Sequence, residues 1–214
     1  MFACLASGAS AQSGATNFSR FNFNVGGGLG FGRGAVGSFV GNSYFGVAGA
    51  GWNFNRLLGV DAEYMYYDLG IRPSVRSGQN LGDTSGSLNV VSLNAIIRPP
   101  WHLGRWGFYG IAGAGYYRRD VTSNRGLLQT GATCQPSWIY WWDIYCVNNQ
   151  IPGDRQQQLA SFTKDAAGFN YGAGITRRLG HFHNAKAYAE FRYHRGYQSD
   201  RESIMMPITI GVRW

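Results

Sequence analysis

The residues whose types and spacing could do chemistry fall into four groups. Gly32, Gly34 and Gly37 satisfy G-x-G-x-x-G, a dinucleotide fingerprint only where a strand turns into a helix. Residues 38–44 carry no helical pattern, so this stretch reads as a loop. His181 and His183 flank Phe182 but have no third ligand nearby in sequence, and a metal site needs three or four. A solvated turn is the simpler reading, and neither metal nor cofactor is expected. Asp61, Glu63, Glu190, Arg178 and Arg192 are ions within otherwise weakly charged segments, which points to charge pairing in a shared interior. Cys134 and Cys146 are separated by an aromatic run and are the only cysteines besides Cys4.

The elements that hold these residues are set by an unusual composition. Of 214 residues 14% are charged, against 44% hydrophobic and 15% aromatic, with 32 Gly, 6 Pro and a net charge of +8. Soluble domains carry roughly 25% charged residues. No apolar stretch reaches the ~18 residues of a membrane helix. The aromatic content argues against disorder, and the missing Gly period excludes a collagen-like chain. Residues 1–11 are apolar, then small, and end in Ala9-Ser10-Ala11 before Gln12. They read as the remnant of a secretory signal without its basic start, from a start placed too far downstream or a trimmed fragment. Only Met1-Phe2-Ala3 precedes Cys4, too little for a lipoprotein box. Residues 12–19 are then a periplasmic N-terminal segment and 20–214 the folded domain. Export leaves Cys134 and Cys146 as an even pair, for which a disulfide is expected.

Past residue 20 the pattern has period 2. Phe21, Phe23, Val25, Leu29 and Phe31 alternate with Asn22, Asn24, Gly26, Gly28 and Gly30. Ile204, Met206, Ile208, Ile210, Val212 and Trp214 alternate with Met205, Pro207, Thr209, Gly211 and Arg213, and residues 186–194 repeat the scheme. Such alternation specifies strands with two chemically different faces. Segments 44–53, 57–68, 87–98, 106–119 and 167–178 bring the count to eight, although Gly/Ala runs leave the facing of two of them ambiguous. In 57–68, Asp61 and Glu63 belong to the polar face. Each segment is near the ~9–11 residues that cross a bilayer when tilted.

Connections 53–56, 99–105 and 180–185 are short; 32–41, 69–86, 120–166 and 196–203 are longer. That asymmetry is the mark of a bacterial outer-membrane barrel, with both termini periplasmic. The predicted fold is all-β: an eight-stranded antiparallel up-and-down transmembrane β-barrel. A soluble lipocalin-like barrel would need a well-charged outer face, whereas the second face here is mostly Gly, Asn, Thr and Ser. A lipid-facing exterior accounts for the charge deficit directly. Trp52, Trp101, Trp106 and Trp214 then form one aromatic girdle, and Tyr66, Tyr67, Tyr116, Tyr117, Tyr193 and Tyr197 the other.

Three segments carry a family resemblance: residues 187–214, AYAEFRYHRGYQSDRESIMMPITIGVRW; NVGGGLGFG at 24–32; and GWNFNRLLGVDAEYMYYDLG at 51–70. The chain resembles the small outer-membrane β-barrel proteins of diderm bacteria, the group with the outer-membrane-protein-A-type barrels, over essentially its whole mature length. The resemblance implies that Ile208, Ile210, Val212 and Trp214 are the signal read by the barrel-assembly machinery. A lipid A deacylase is similar in size and uses a lipid-facing Ser–His pair, for which His194, Ser199 and Glu202 are the nearest candidates. That family places Ser two residues after His, whereas Arg195-Gly196 follows here, and the alternation turns His194 inward.

The expectation is a non-enzymatic, monomeric barrel of the bacterial outer membrane that supports the envelope, presents loops for adhesion or binding, and keeps a closed polar lumen. The alternative within this fold is a narrow porin. Asp61, Glu63, Arg178, Glu190 and Arg192 are expected to pair across the lumen, since isolated buried ions are very costly. All of the 19 basic residues except Lys164 and Lys186 are arginine. Arg33, Arg72, Arg76, Arg118, Arg119, Arg125, Arg155, Arg195 and Arg201 map to the outer rim and loops, too dispersed for nucleic acid. They suit membrane lipid and lipopolysaccharide phosphates, which guanidinium binds bidentately. Trp138, Tyr140, Trp141, Trp142 and Tyr145 lie between or beside the cysteines and read first as a stapled lid over the barrel mouth. They read second as a recognition surface for a cell-surface partner.

Overall fold

The computed structural model describes residues 19–34, 37, 40–70, 84–100, 102–123, 132–136, 144–148, 160–179, 185–198 and 201–214. In chain order the strands are β1 (Phe21–Arg33), β2 (Asn42–Asn53), β3 (Leu58–Leu69), β4 (Thr84–Ile97), β5 (His102–Leu103), β6 (Trp106–Ser123), β7 (Ala132–Pro136), β8 (Ile144–Asn148), β9 (Ala160–Arg178), β10 (Lys186–Gln198) and β11 (Arg201–Arg213). Eight of them form a closed, antiparallel barrel. Closure is made by β1 against β11, from Asn24 opposite Arg213 to Arg33 opposite Ile204. With the ring closed, every strand has a partner on both sides, the condition for a sheet in hydrocarbon.

The alternation in the sequence becomes inside and outside. In β1, Asn22 and Asn24 are buried while Phe21, Phe23 and Val25 are exposed. In β11, Met205, Thr209 and Arg213 are buried while Ile208, Ile210 and, just past the strand, Trp214 are exposed. Exposed aliphatic and aromatic side chains around the whole circumference, including Val91 and Leu93 on β4, Ile175 on β9 and Phe191 on β10, form the band that faces lipid.

At the end where β1 begins and β11 ends, the terminal end of the barrel, connections are tight. Asn55 Oδ1 accepts hydrogen bonds from the amides of Leu57 and Leu58, both at 2.8 Å, an Asx-type closure of the β2–β3 turn. Gly104, with φ of 62°, supplies the left-handed residue that folds β5 back on β6. At the opposite end the expected asymmetry holds at three connections but not the fourth. β10 and β11 stay paired to Gln198 opposite Arg201, so the expected loop at 196–203 is a tight hairpin. The loop expected over 120–166 is also shorter, because β6 and β9 remain paired up to Ser123 opposite Ala160. Between them β7 and β8 form a separate two-stranded sheet.

The aromatic girdles need one correction. Trp106 and Trp214 are exposed at the short-turn end, and Tyr66, Tyr116 and Tyr197 at the other. Tyr67 and Tyr117 instead point inward and are buried. Adjacent Tyr-Tyr pairs must straddle the sheet, since consecutive side chains leave opposite faces. Trp101 lies outside the described residues.

Candidate functional site

The barrel interior is built in two layers, and the boundary between them follows strand depth. The layer nearer the termini is polar. Arg192 on β10 places Nη1 2.5 Å from Glu63 Oε2 on β3 and pairs through Nε with Glu190, its neighbour two residues earlier on the same inward face. The carboxylates have further donors. Asn94 gives Nδ2 to Glu63 at 2.8 Å, Asn24 gives Nδ2 to Glu63 at 3.1 Å, and the Tyr109 hydroxyl donates to Glu190 at 2.7 Å. Nearer the mouth, Asn24 also donates to Asp61 at 2.7 Å, and Arg213 Nη2 lies 3.5 Å from the same Asp61 oxygen. The Arg213 guanidinium is held over the rings of Tyr109 and Tyr188, at 5.0 and 5.2 Å from their centroids. Such stacking suits a cation that has lost most of its water.

The layer nearer the loops is mainly apolar, although Ser43, Arg119 and His194 are also buried at this end. Phe45, Val47, Met65, Tyr67, Leu69, Leu88, Val90, Tyr117, Val121 and Met205, with Val40, form one buried cluster. Phe45 stacks on Tyr67 with centroids 4.7 Å apart. Tyr117 meets His194 edge-on, and its hydroxyl lies 3.0 Å from His194 Nδ1. The lumen is therefore not uniformly polar as expected. Each fully buried side chain of this plug contributes roughly 1.5–3 kcal/mol, so the loop-side half of the lumen is a hydrophobic core in its own right. Glycine on facing strands makes room for the rings. A Cβ on Gly174 would run into the Tyr109 ring, and one on Gly26 would lie 2.6 Å from the Tyr188 hydroxyl.

The whole chain, not one motif, matches a known protein family. The family described as outer membrane protein beta-barrel domain matches residues 1–211. The chain belongs to that family. Among solved structures, a major outer membrane protein from Thermus thermophilus is 12% identical, with 91% of this chain and 98% of that chain covered and a TM-score of 0.55. Neisserial surface protein A is 11% identical, with 91% and 96% covered and a TM-score of 0.54. The attachment invasion locus protein of Yersinia pestis is 16% identical, with 91% and 97% covered and a TM-score of 0.48. No curated protein matches. At such identities the shared property is the barrel; the family places this one in the bacterial outer membrane.

Of the five ions expected in the lumen, the structure brings four inside: Asp61, Glu63, Glu190 and Arg192 are all buried. Arg178 is the exception. It has the inward parity of β9 but is that strand's last residue and is exposed at the mouth. Arg213, which shares the inward parity of Thr209, takes a place beside Asp61 instead. Arg119, expected on the rim, is also buried, because β6 continues past it with Arg119 on the inward side. His194 is buried inside, as its alternation required, which removes it from the lipid-facing position a deacylase base would need. Ser199 lies outside the described residues.

The backbone register sets Cys134 opposite Cys146 on β7 and β8, with Tyr145 opposite Gln135. Trp138, Tyr140, Trp141 and Trp142 lie outside the described residues, as do His181, His183 and residues 1–18. Ile208 and Ile210 on β11 and Trp214 just past it are exposed, with Val212 half-buried between them. Among the described residues His, Cys, Asp and Glu do not gather in threes that would hold a metal.

Proposed function

We propose that this outer-membrane barrel is a closed, non-enzymatic scaffold that supports the envelope and presents its loop end to the exterior. The observation that carries this reading is the filled interior: the Glu63–Arg192–Glu190 set occupies one layer and the Phe45–Tyr67–Met65 cluster the next. Eight strands leave just enough room for side chains to fill, and these side chains are large. A narrow porin would need a continuous polar path, and the apolar layer interrupts it. The β6–β9 connection, which carries its own hairpin, is the segment best suited to meet a cell-surface partner. Its facing cysteines fit a disulfide, because opposed residues of an antiparallel pair have Cα atoms ≈ 4.5–5.5 Å apart. Lipopolysaccharide at the loop end, recognition of the outward-facing β11 residues by the assembly machinery, and a monomeric state belong to the same proposal.

The test is solute flux through proteoliposomes, with lipid A supplied in the same membrane. The scaffold reading predicts no protein-dependent swelling in small sugars or amino acids and no free acyl chains by mass spectrometry. Rapid swelling would establish the porin alternative; released acyl chains would establish a hydrolase.

A further inference from the structure

The terminal mouth of the lumen carries more positive charge than its neighbours can balance. The inward parity of three adjacent strands ends in cations. Lys186 is directly opposite Arg178 across the β9–β10 pair and directly opposite Arg213 across the β10–β11 pair. Like charges directly opposite each other destabilise a sheet. Arg98, at the end of β4, adds a fourth charge to this set, and its repulsion is felt by Lys186 together with that of Arg178 and Arg213. Among the described residues, the side-chain carboxylate facing this end is Asp61, already engaged by Asn24 and by Arg213 Nη2. The next two, Glu63 and Glu190, are held by Arg192 deeper in the lumen.

A second observation is independent of charge. Arg213 is only 5% exposed, yet its Nε and Nη1 have no hydrogen-bond partner. A buried guanidinium with two unused donors is costly. Charge-assisted donors of this kind are the ones from which an oxyanion oxygen accepts most strongly.

We propose that the terminal mouth is a binding site for an oxyanion of the phosphate class, with Arg213 as its base and Lys186 and Arg98 as its rim. Arg213 would offer a single unpartnered donor, while the two half-buried cations would close over the outer oxygens. Bound there, the anion offsets the repulsion along the Arg178–Lys186–Arg213 row and links β4 to β9, β10 and β11. A free phosphate dianion and the phosphate of an inner-leaflet lipid share this chemistry.

The experiment uses the refolded full chain. In one arm, inorganic phosphate is titrated calorimetrically into protein in an uncharged maltoside detergent, at ionic strength fixed with sodium chloride. In the other, heat-modifiable gel mobility is followed in vesicles of phosphatidylcholine with and without phosphatidylglycerol. Saturable phosphate binding is expected, weakened about tenfold by Lys186→Met and again by Arg98→Gln, a factor per contact typical of hydrogen bonds to charged groups. Arg118→Gln at the loop end should leave it unchanged. If free phosphate fails but phosphatidylglycerol raises the melting midpoint of wild type and not of the double variant, the oxyanion comes from lipid and the site stands. No response in either arm, or an equal response in the double variant, would overturn it. Both rim substitutions are at half-buried positions, so the result does not depend on whether an Arg213 variant folds.

Discussion

Arg192 is the side chain on which the polar layer turns, and its removal gives the sharpest energetic test. Arg192→Met keeps most of the volume and deletes the charge. Glu63 would keep its bonds from Asn94 and Asn24, and Glu190 its bond from Tyr109. Neither would keep a cation, and both are buried. Breaking a buried pair from one side costs about 3–5 kcal/mol, because a charge is left uncompensated. With a urea m-value of about 2 kcal/mol/M, the unfolding midpoint should fall by about 2 M. The assay is urea unfolding from phosphatidylcholine vesicles, scored by the fraction that keeps heat-modifiable gel mobility. The companion is the triple variant Glu63→Gln, Glu190→Gln, Arg192→Met, which removes all three charges and should recover most of the loss. If Arg192→Met unfolds within about 0.5 M of wild type, or if the triple variant is as unstable as the single, the layer is not held by these charges.

Other outcomes follow from the same geometry. Val91→Lys, on an exposed position of β4, should cost about 2–4 kcal/mol in vesicles if that face meets lipid, whereas a solvated surface would tolerate it within about 0.5 kcal/mol. Gly174→Val should strongly reduce the folded fraction by driving a side chain into the Tyr109 ring, and Tyr109→Ala in the same chain should restore part of it. Replacing Cys134 and Cys146 by Ser should raise protease cleavage between Thr133 and Val147 while gel mobility still reports a folded barrel; equal resistance, or labelling of Cys134 by a thiol probe in the native cell envelope, would rule out the staple. Closing a loop of that length with a disulfide is worth about 3 kcal/mol in the chain-entropy model.

The sequence carried the barrel plainly and its contents only in part. Strands β1 and β11 alternate Phe or Ile with Asn, Gly or Thr, and β10 alternates Ala, Phe and Tyr with Glu, Arg and His, so their facing could be read directly. Asp61, Glu63, Glu190 and Arg192 could be placed inside for the same reason. The apolar plug was hidden because Met65 lies between Tyr64 and Tyr66, and Tyr67 directly follows Tyr66. Where both faces are apolar, period 2 has no contrast to show which one is interior. Arg178 and Arg213 were exchanged for a different reason. Parity gives the face of a strand and not the depth, and a residue at a strand's last position owes its burial to how far its neighbours extend. Asn24, Asn94 and Tyr109 were visible as polar or aromatic positions, but their roles as donors to Glu63 and Glu190 depend on cross-barrel distances no single strand contains. The length of β6 and β9 was underestimated because the alternation fades beyond Arg119 while the pairing continues.

The closed lumen is the centre of this account, and planar-bilayer conductance measures it most directly. Refolded wild-type protein inserted at known copy number should give no large, steady current in molar potassium chloride. The double variant Phe45→Ala, Tyr67→Ala, which empties the stacked pair from the apolar layer, should raise conductance above the wild-type background. A large, steady wild-type conductance, unaffected by that double variant, would contradict the closed lumen.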